Sequence, residues 1–335
     1  MNQILGIDVG YGAVKGISSR ENKVYFPSQI ASFKPVKFVT GMSNTPYVDR
    51  MAILHQDKYF VGASAGKQAL ANATIERSRT VTQEGKILLL SAIGNLIEHS
   101  PESINLVVGL PISNFDLKES YIGMAAGKHQ FTMLNTDGSI YKDMTVTVEN
   151  IKCLPQPFGS LFDAVLDNKG EFIASSVAKG RVGIIDIGYR TTDYLRSENL
   201  EYLSKYSTSF DEMGGFKIAS TLSDLIYDEH QVRIPVEDID RYVRGADLLI
   251  NGELVRIGEL RKKAFKISAE AILTRALSIW PDIKLLELIV ITGGTAHLIG
   301  EYLKERLGNT AIITQEPEFS YCYGYRKFGL RVWEK

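Results

Sequence analysis

At 335 residues the chain is longer than a single hydrophobic core usually serves, so two lobes are expected. Its 38 basic and 39 acidic side chains leave a formal net charge of -1, which supplies no global field for a polyanion and excludes direct nucleic-acid binding as the expected role. Hydrophobic residues at 44% and charged residues at 23% exclude a disordered chain, and Cys153 and Cys322, outside any C-x-x-C pattern, exclude a zinc site or a disulfide framework.

The opening MNQILGIDVGYG lacks a basic leader followed by a long apolar stretch, and no window approaches the roughly 18 apolar residues of a membrane span. A soluble cytoplasmic protein with no membrane partner is expected. NQILGIDVG predicts a strand, and YGAVKGISS and NKVYFPS continue it as a β-meander. EGKILLLSAIGNLIEHS has apolar residues at helical spacing, and INLVVGLPIS predicts a buried strand stopped at Pro111. HQFTMLNTDGSIYKDMTVTVEN predicts a hairpin turning at Asp137-Gly138. In CLPQPFGSLFDAVLDNKG a strand ends at Gln156 and Pro157 can open a helix.

RVGIIDIGYRTTDYLRSENLEYL then repeats the opening plan: an apolar strand, an Asp-x-Gly turn, a second strand and a third, LEYLSK. Ile185-Asp186-Ile187-Gly188-Tyr189 nearly reproduces Ile7-Asp8-Val9-Gly10-Tyr11. Two copies of one unit in a chain of this length suggest duplicated domains. FDEMGGFKIASTLSDLIYDE places Gly214-Gly215 at the head of an amphipathic helix, and a long helix runs through IGELRKKAFKISAEAILTRALSIW. LLELIVITGGTAHLIGEYLKERLG predicts a strand, Gly293-Gly294-Thr295 and a helix, a junction that lets a sugar or phosphate approach helix N–H groups. EFSYCYGYRKFG predicts a helix whose small Cys322 and Gly324 suit tight packing.

The repeated turn suggests a chemistry. A buried strand delivers Asp8, or Asp186, to its carboxyl end, and Gly10, or Gly188, lets the backbone approach a ligand. The N–H groups of such turns favour phosphate oxygens, with Lys15 and the hydroxyls of Thr191 and Thr192 nearby. The two carboxylates suit the hydrated magnesium that accompanies a nucleotide. Competing motifs fail. VGASAGKQ is one residue short of a Walker loop and has Gln68 where a hydroxyl is required. Gly10-x-Gly12 with Gly16 is followed by β-like sequence where a dinucleotide fold needs a helix. His55, His99, His129, His230 and His297 show no metal-ligand spacing.

The ordered set GIDVGYGAVKG, LPQPFGSLFDAV, GIIDIGYRTTDY, EMGGFKIA, VITGGTAHLIG and YCYGYRKFG resembles the nucleotide-site segments of the actin, sugar-kinase and heat-shock-chaperone superfamily, and within it the prokaryotic actin-like ATPases of the ParM and archaeal-actin type. The resemblance implies an α/β, two-lobed actin-like fold: duplicated ribonuclease-H-like domains with a nucleotide cleft between them. Lobe I would span 1–180, with a small insertion at 31–86, and be joined by a C-terminal helix at 319–335; lobe II would span 181–318, with an insertion at 216–284. Asp8 and Asp186 would lie around Mg2+, mostly through water. Gly10, Tyr11, Gly12 and Lys15 would line one side of the phosphates of ATP or ADP, and Gly188, Tyr189, Arg190, Thr191 and Thr192 the other. Gln156 matches the position that orients the attacking water. Gly214, Gly215, Gly293 and Gly294 fall at ribose and adenine, with Lys217 and Thr295 in the same nucleotide set. The last segment departs from the family, which has two alanines before its glycine where this chain has Tyr321, Cys322 and Tyr323.

The implied function is a slow, assembly-stimulated ATPase that polymerises head to tail for plasmid segregation, with a DNA-binding adaptor protein gripping the DNA. The alternatives are a chromosomal cytoskeletal homologue, a small-molecule kinase of the same superfamily, and a membrane-bound scaffold. A kinase needs a carboxylate base where Gln156 stands. RKFGLRVWEK is too short and mixed for a membrane-binding tail.

Overall fold

The computed structural model describes residues 2–36, 51–68, 79–173, 177, 179–235 and 238–334, so the expected insertions at 31–86 and 216–284 lie partly outside the described residues. The chain divides into two compact units. Unit 1 is Met1–Glu171 with Tyr321–Lys335, and unit 2 is Phe172–Ser320.

In unit 1 the elements are β1 (Gln3–Val9), β2 (Ala13–Ser18), β3 (Lys23–Pro27), β4 (Ile30–Ser32), β5 (Ala52–His55), β6 (Asp57–Val61), α1 (Ala63–Gln68), α2 (Gln83–Leu96), β7 (Glu102–Leu110), α3 (Lys118–Ala125), β8 (Gly127–Leu134), β9 (Ile140–Pro155) and α4 (Gln156–Val165). They build a nine-stranded sheet in the order β3-β2-β1-β7-β9-β8-β5-β6-β4. β1 runs antiparallel to β2 and parallel to β7, which is parallel to β9. All seven residues of β1 are buried, the pattern of a strand covered on both faces. Thr82 caps α2 by accepting from the Gly85 N–H, and the helix lays Ile87, Leu88, Leu90 and Ile93 into the core with Ile7, Leu106 and Val108. The Asp137-Gly138 turn joins β8 to β9, with Gly138 at φ +88°. The sheet continues past β9 because β8, β5, β6 and β4 pair in succession, each covering its neighbour's open edge.

Unit 2 contains β10 (Arg181–Ile187), β11 (Thr191–Glu198), β12 (Glu201–Tyr202), β13 (Thr208–Asp211), α5 (Gly215–His230), α6 (Ile239–Val243), β14 (Leu248–Ile250), β15 (Glu253–Val255), α7 (Gly258–Ile279), β16 (Leu288–Thr292), α8 (Ala296–Leu307) and β17 (Ala311–Ile313). Its main sheet follows the order β12-β11-β10-β16-β17, with β10 antiparallel to β11 and parallel to β16, and β16 parallel to β17. That is the plan of β3-β2-β1-β7-β9, element for element. The expected third strand shrinks to Glu201–Tyr202, and β13, absent from the sequence reading, pairs with the other end of β11. The reason is local: Asn199 and Leu200 both take positive φ, and a single turn at Ser204–Tyr206 redirects the chain.

α9 (Ser320–Trp333) completes unit 1. The small residues expected to permit close packing do so. A side chain at Gly6 would collide with the Cys322 carbonyl, and one at Gly324 with the Gly159 carbonyl. Lys327 Nζ donates to Asp163 Oδ1 at 2.7 Å, and Arg326 Nη2 to Asn168 Oδ1 at 2.8 Å.

Candidate functional site

Each unit carries one Asp-turn hairpin, and the registers coincide. In unit 1 Ile7 pairs with Gly16, Asp8 with Lys15 and Val9 with Val14; in unit 2 Ile185 pairs with Tyr194, Asp186 with Asp193 and Ile187 with Thr192. Gly10 N–H donates to the Ala13 carbonyl at 3.1 Å, and Gly188 N–H to the Thr191 carbonyl at 2.9 Å. The sequence repeat is therefore a repeat of backbone geometry. Asp8 and Asp186 stand at equivalent points, 3% and 6% exposed.

In unit 1 Gln156, the first residue of α4, donates through Nε2 to Asp8 Oδ1 at 2.8 Å. Burial pushes the Asp8 carboxyl above its ordinary value, while the Lys15 charge and the Gln156 hydrogen bond oppose that shift. Tyr11 and Gly12 are exposed at the turn, and no protein atom lies within 4 Å of where a Gly12 side chain would begin. The turn rests on residues that sequence reasoning missed. Ser28 Oγ donates to the Gly10 carbonyl at 2.6 Å, and Ser28 N–H to the Gly12 carbonyl at 3.1 Å. The buried Arg79 guanidinium donates to the Ser28 carbonyl, and Asn114 Nδ2 reaches the Tyr11 hydroxyl. None of these lies in a motif, so no spacing could have flagged them.

In unit 2 the turn is held by the starts of two helices. Gly215 and Phe216 N–H groups donate to the carbonyls of Gly188 and Tyr189 at 3.0 and 2.7 Å. Thr295 N–H donates to the Ile187 carbonyl, and its hydroxyl to the Gly188 carbonyl, both at 2.9 Å. A side chain at Gly214 would collide with the Gly188 carbonyl, and one at Gly293, where φ is +95°, with Asp186 Oδ1. These glycines are thus required by the packing of the unit itself. Gly294 is different, since nothing lies within 4 Å of its missing side chain. Thr192, expected among the phosphate contacts, is fully buried, and its hydroxyl donates to the Met213 carbonyl at 3.1 Å. It holds the segment ahead of α5. Tyr189, Arg190 and Lys217 are exposed, and Thr191 is half-buried.

Among the described residues no cluster of three His, Cys, Asp or Glu side chains could hold a metal ion, and no helix is long and apolar enough to cross a membrane. A divalent cation at Asp8 or Asp186 would depend on ligands such as phosphate oxygens and water, which is how magnesium commonly binds with a nucleotide.

Comparison with known proteins agrees with this architecture. Residues 6–159 match the family model of the actin-like proteins N-terminal domain, and residues 184–305 that of the archaeal actin homologue MreB-like C-terminal region. An archaeal actin homologue of Thermoplasma volcanium is 24% identical, with 96% of this chain and 97% of the relative covered. A ParM from a 15-stranded filament of Clostridium botulinum is 25% identical at a TM-score of 0.76, covering 98% of this chain and 99% of that one. The archaeal actin homologue Ta0583 in complex with ADP is 22% identical at a TM-score of 0.73, with the same coverage. The fold is the two-lobed, mixed α/β fold of the actin-like proteins. Within that class, the chain is an actin-like protein of the ParM and archaeal-actin type.

Proposed function

We propose that this protein is an ATPase that binds Mg-ATP through its two Asp-turn hairpins and assembles head to tail into nucleotide-dependent filaments that segregate plasmid DNA in the cytoplasm. The observation that carries this reading is the Asp-turn hairpin at the same place in both sheets, with Gln156 hydrogen-bonded to the Asp8 carboxylate. The ADP complex of Ta0583 and the filament of the botulinum ParM support it. The open space at Gly12 and Gly294 suits the close approach of a nucleotide.

In this reading Asp8 and Asp186 hold the magnesium, mainly through its waters. Gly10, Tyr11, Gly12 and Lys15 hold one side of the phosphates; Gly188, Tyr189, Arg190 and Thr191 hold the other. Gly214, Gly215, Lys217, Gly293, Gly294 and Thr295 form the ribose and adenine side. Bound Mg-ATP supplies the transferable phosphoryl group and a cation that offsets its charge. The Lys15 ammonium and the turn N–H groups stabilise negative oxygens, and the Gln156 amide orients the attacking water. An amide is a poor proton acceptor, so turnover in the isolated subunit is slow, and assembly accelerates it by fixing Gln156 in place. With a net charge of -1 the chain leaves DNA to a DNA-binding adaptor.

The test is phosphate release and pelleting with ATP. Gln156→Ala is expected to slow release by about 100-fold, to leave ATP binding intact and to prolong the filaments. Unchanged release in that variant, or no ATP-dependent pelleting of the natural chain, removes the proposal.

A further inference from the structure

Tyr325, on α9, is fully buried, and its hydroxyl has no hydrogen-bond partner. Buried hydroxyls are disfavoured without a partner, so this one calls for an explanation. Its location is specific. Gly109 stands one step beyond the Ile7–Val108 pair of β1 and β7, and it pairs on its other side with Leu154 of β9. It is therefore the cross-strand neighbour of Asp8. The side chain that Gly109 lacks belongs to the sheet face that carries Asp8 and, two residues past Leu154, Gln156.

Tyr325 fills that vacancy. A side chain at Gly109 would collide with the Tyr325 hydroxyl oxygen, and it would lie 2.6 Å from Tyr325 Cζ and 3.1 Å from Gln156 Cγ. The phenol thus sits alongside the Gln156–Asp8 hydrogen bond. Its place is set by main chain, because α9 packs against Gly6 and Gly159 with no room for a side chain at either contact. Burial raises the Tyr325 hydroxyl well above its ordinary value, and the Asp8 charge pushes it the same way, so it remains a protonated donor at neutral pH.

The Gln156 amide nitrogen donates to Asp8 in the present arrangement, and turning that amide toward an attacking water withdraws the donor from the carboxylate. Yet Asp8 is buried, and a buried carboxylate that loses a donor is strongly destabilised. We infer that Tyr325 is a positioning residue that exchanges with Gln156: its O–H donates to the Asp8 carboxylate when the Gln156 amide turns away to hold the attacking water. In the present arrangement Gln156 supplies the donor to Asp8, and the Tyr325 hydroxyl has no partner. This exchange rests on the role of Gln156 given under Proposed function.

The experiment measures phosphate release over a range of ATP concentrations for the natural full-length chain, Tyr325→Phe, Gln156→Ala and the double variant, with a melting curve for each. Tyr325→Phe removes only an unpartnered oxygen, so a purely structural residue predicts an unchanged kcat and an unchanged or higher Tm. The exchange predicts a kcat lowered roughly tenfold, with KM and Tm not impaired. It also predicts that Tyr325→Phe adds nothing once Gln156 is Ala. A Tyr325→Phe variant with unchanged kcat, beside a Gln156→Ala variant that is impaired, overturns the exchange alone. A loss of equal size in both backgrounds overturns it too, as does a loss accompanied by a lowered Tm. If Gln156→Ala itself releases phosphate at the natural rate, the water-orienting reading falls and the exchange falls with it.

Discussion

Asp8 faces Lys15 across the first hairpin, whereas Asp186 faces Asp193 across the second. The backbone is the same in both places, down to the glycine N–H that closes each turn. The surroundings differ. The first turn is braced by one serine backed by an arginine, and it presents Tyr11 and Gly12 to solvent beside a half-buried cation. The second is clasped by the starts of α5 and α8, and the place of the cation is taken by a carboxyl group. Burial raises Asp193 above its ordinary value, Asp211 pushes it the same way, and a hydrogen bond from Ser209 opposes them. The two hairpins thus share strand order and register and differ in what surrounds them. One turn carries the cation and the amide-bound carboxylate; the other supplies a rigid frame.

The sharpest way to break this comparison is Gly293→Ala set beside Gly294→Ala. The first needs a positive φ and drives a methyl group into Asp186, so unit 2 is expected to lose about 3 kcal/mol or more. The second meets open space and is expected to change stability by less than about 0.5 kcal/mol, while weakening ATP binding. Denaturant titration of both reads the contrast, and equal losses would end the division between frame and contact surface.

Asp8→Asn probes the first hairpin through pH. Because burial raises the Asp8 carboxyl above 3.8 in the folded chain, the unfolded chain ionises first as pH rises, and stability declines until the folded group ionises as well. The nucleotide-free variant is therefore expected to melt above the natural chain at neutral pH, with the gap closing as pH falls toward 3.8. A gap that widens toward acid would show the carboxylate to be favourably held.

The smallest expected effects are those of single braces. Ser28→Ala removes the bond to the Gly10 carbonyl, and Thr295→Val the bond to the Gly188 carbonyl. Each is expected to destabilise by about 1 kcal/mol, as followed by thermal melting. A much larger loss at Ser28 would place the rigid frame in the first hairpin.

The hairpins were legible in the sequence because a buried strand, an acidic residue and a glycine leave a local pattern of period two with a turn at its end. The helices α2 and α5 were legible through apolar spacing, the second also through Gly214-Gly215, and α4 through Pro157, although it begins one residue earlier, at Gln156, where the sequence reading ended the strand. What escaped was tertiary. Ser28, Arg79 and Asn114 support the first turn from outside any motif, and β13 depends on a turn that two non-glycine residues make at positive φ. Gly109 reads as an ordinary strand glycine until Tyr325 is found in the space it leaves. The burial of Thr192 was not legible, because alternation alone does not say which face of a hairpin is covered; its hydroxyl is turned to the Met213 carbonyl.

The return of α9 to unit 1 has a consequence for biosynthesis. Unit 2 is one uninterrupted stretch of chain, Phe172–Ser320, whereas the groove along Ile4, Gly6 and Gly159 receives its lid from residues translated after all of it. Unit 1 can therefore not be completed during synthesis until Tyr321–Lys335 have been made, a departure from the usual order in which N-terminal domains mature first. Until Gly324 and Gly329 arrive, β1 lies bare on that side, and a nascent chain halted short of them presents its first strand to any chaperone waiting at the exit.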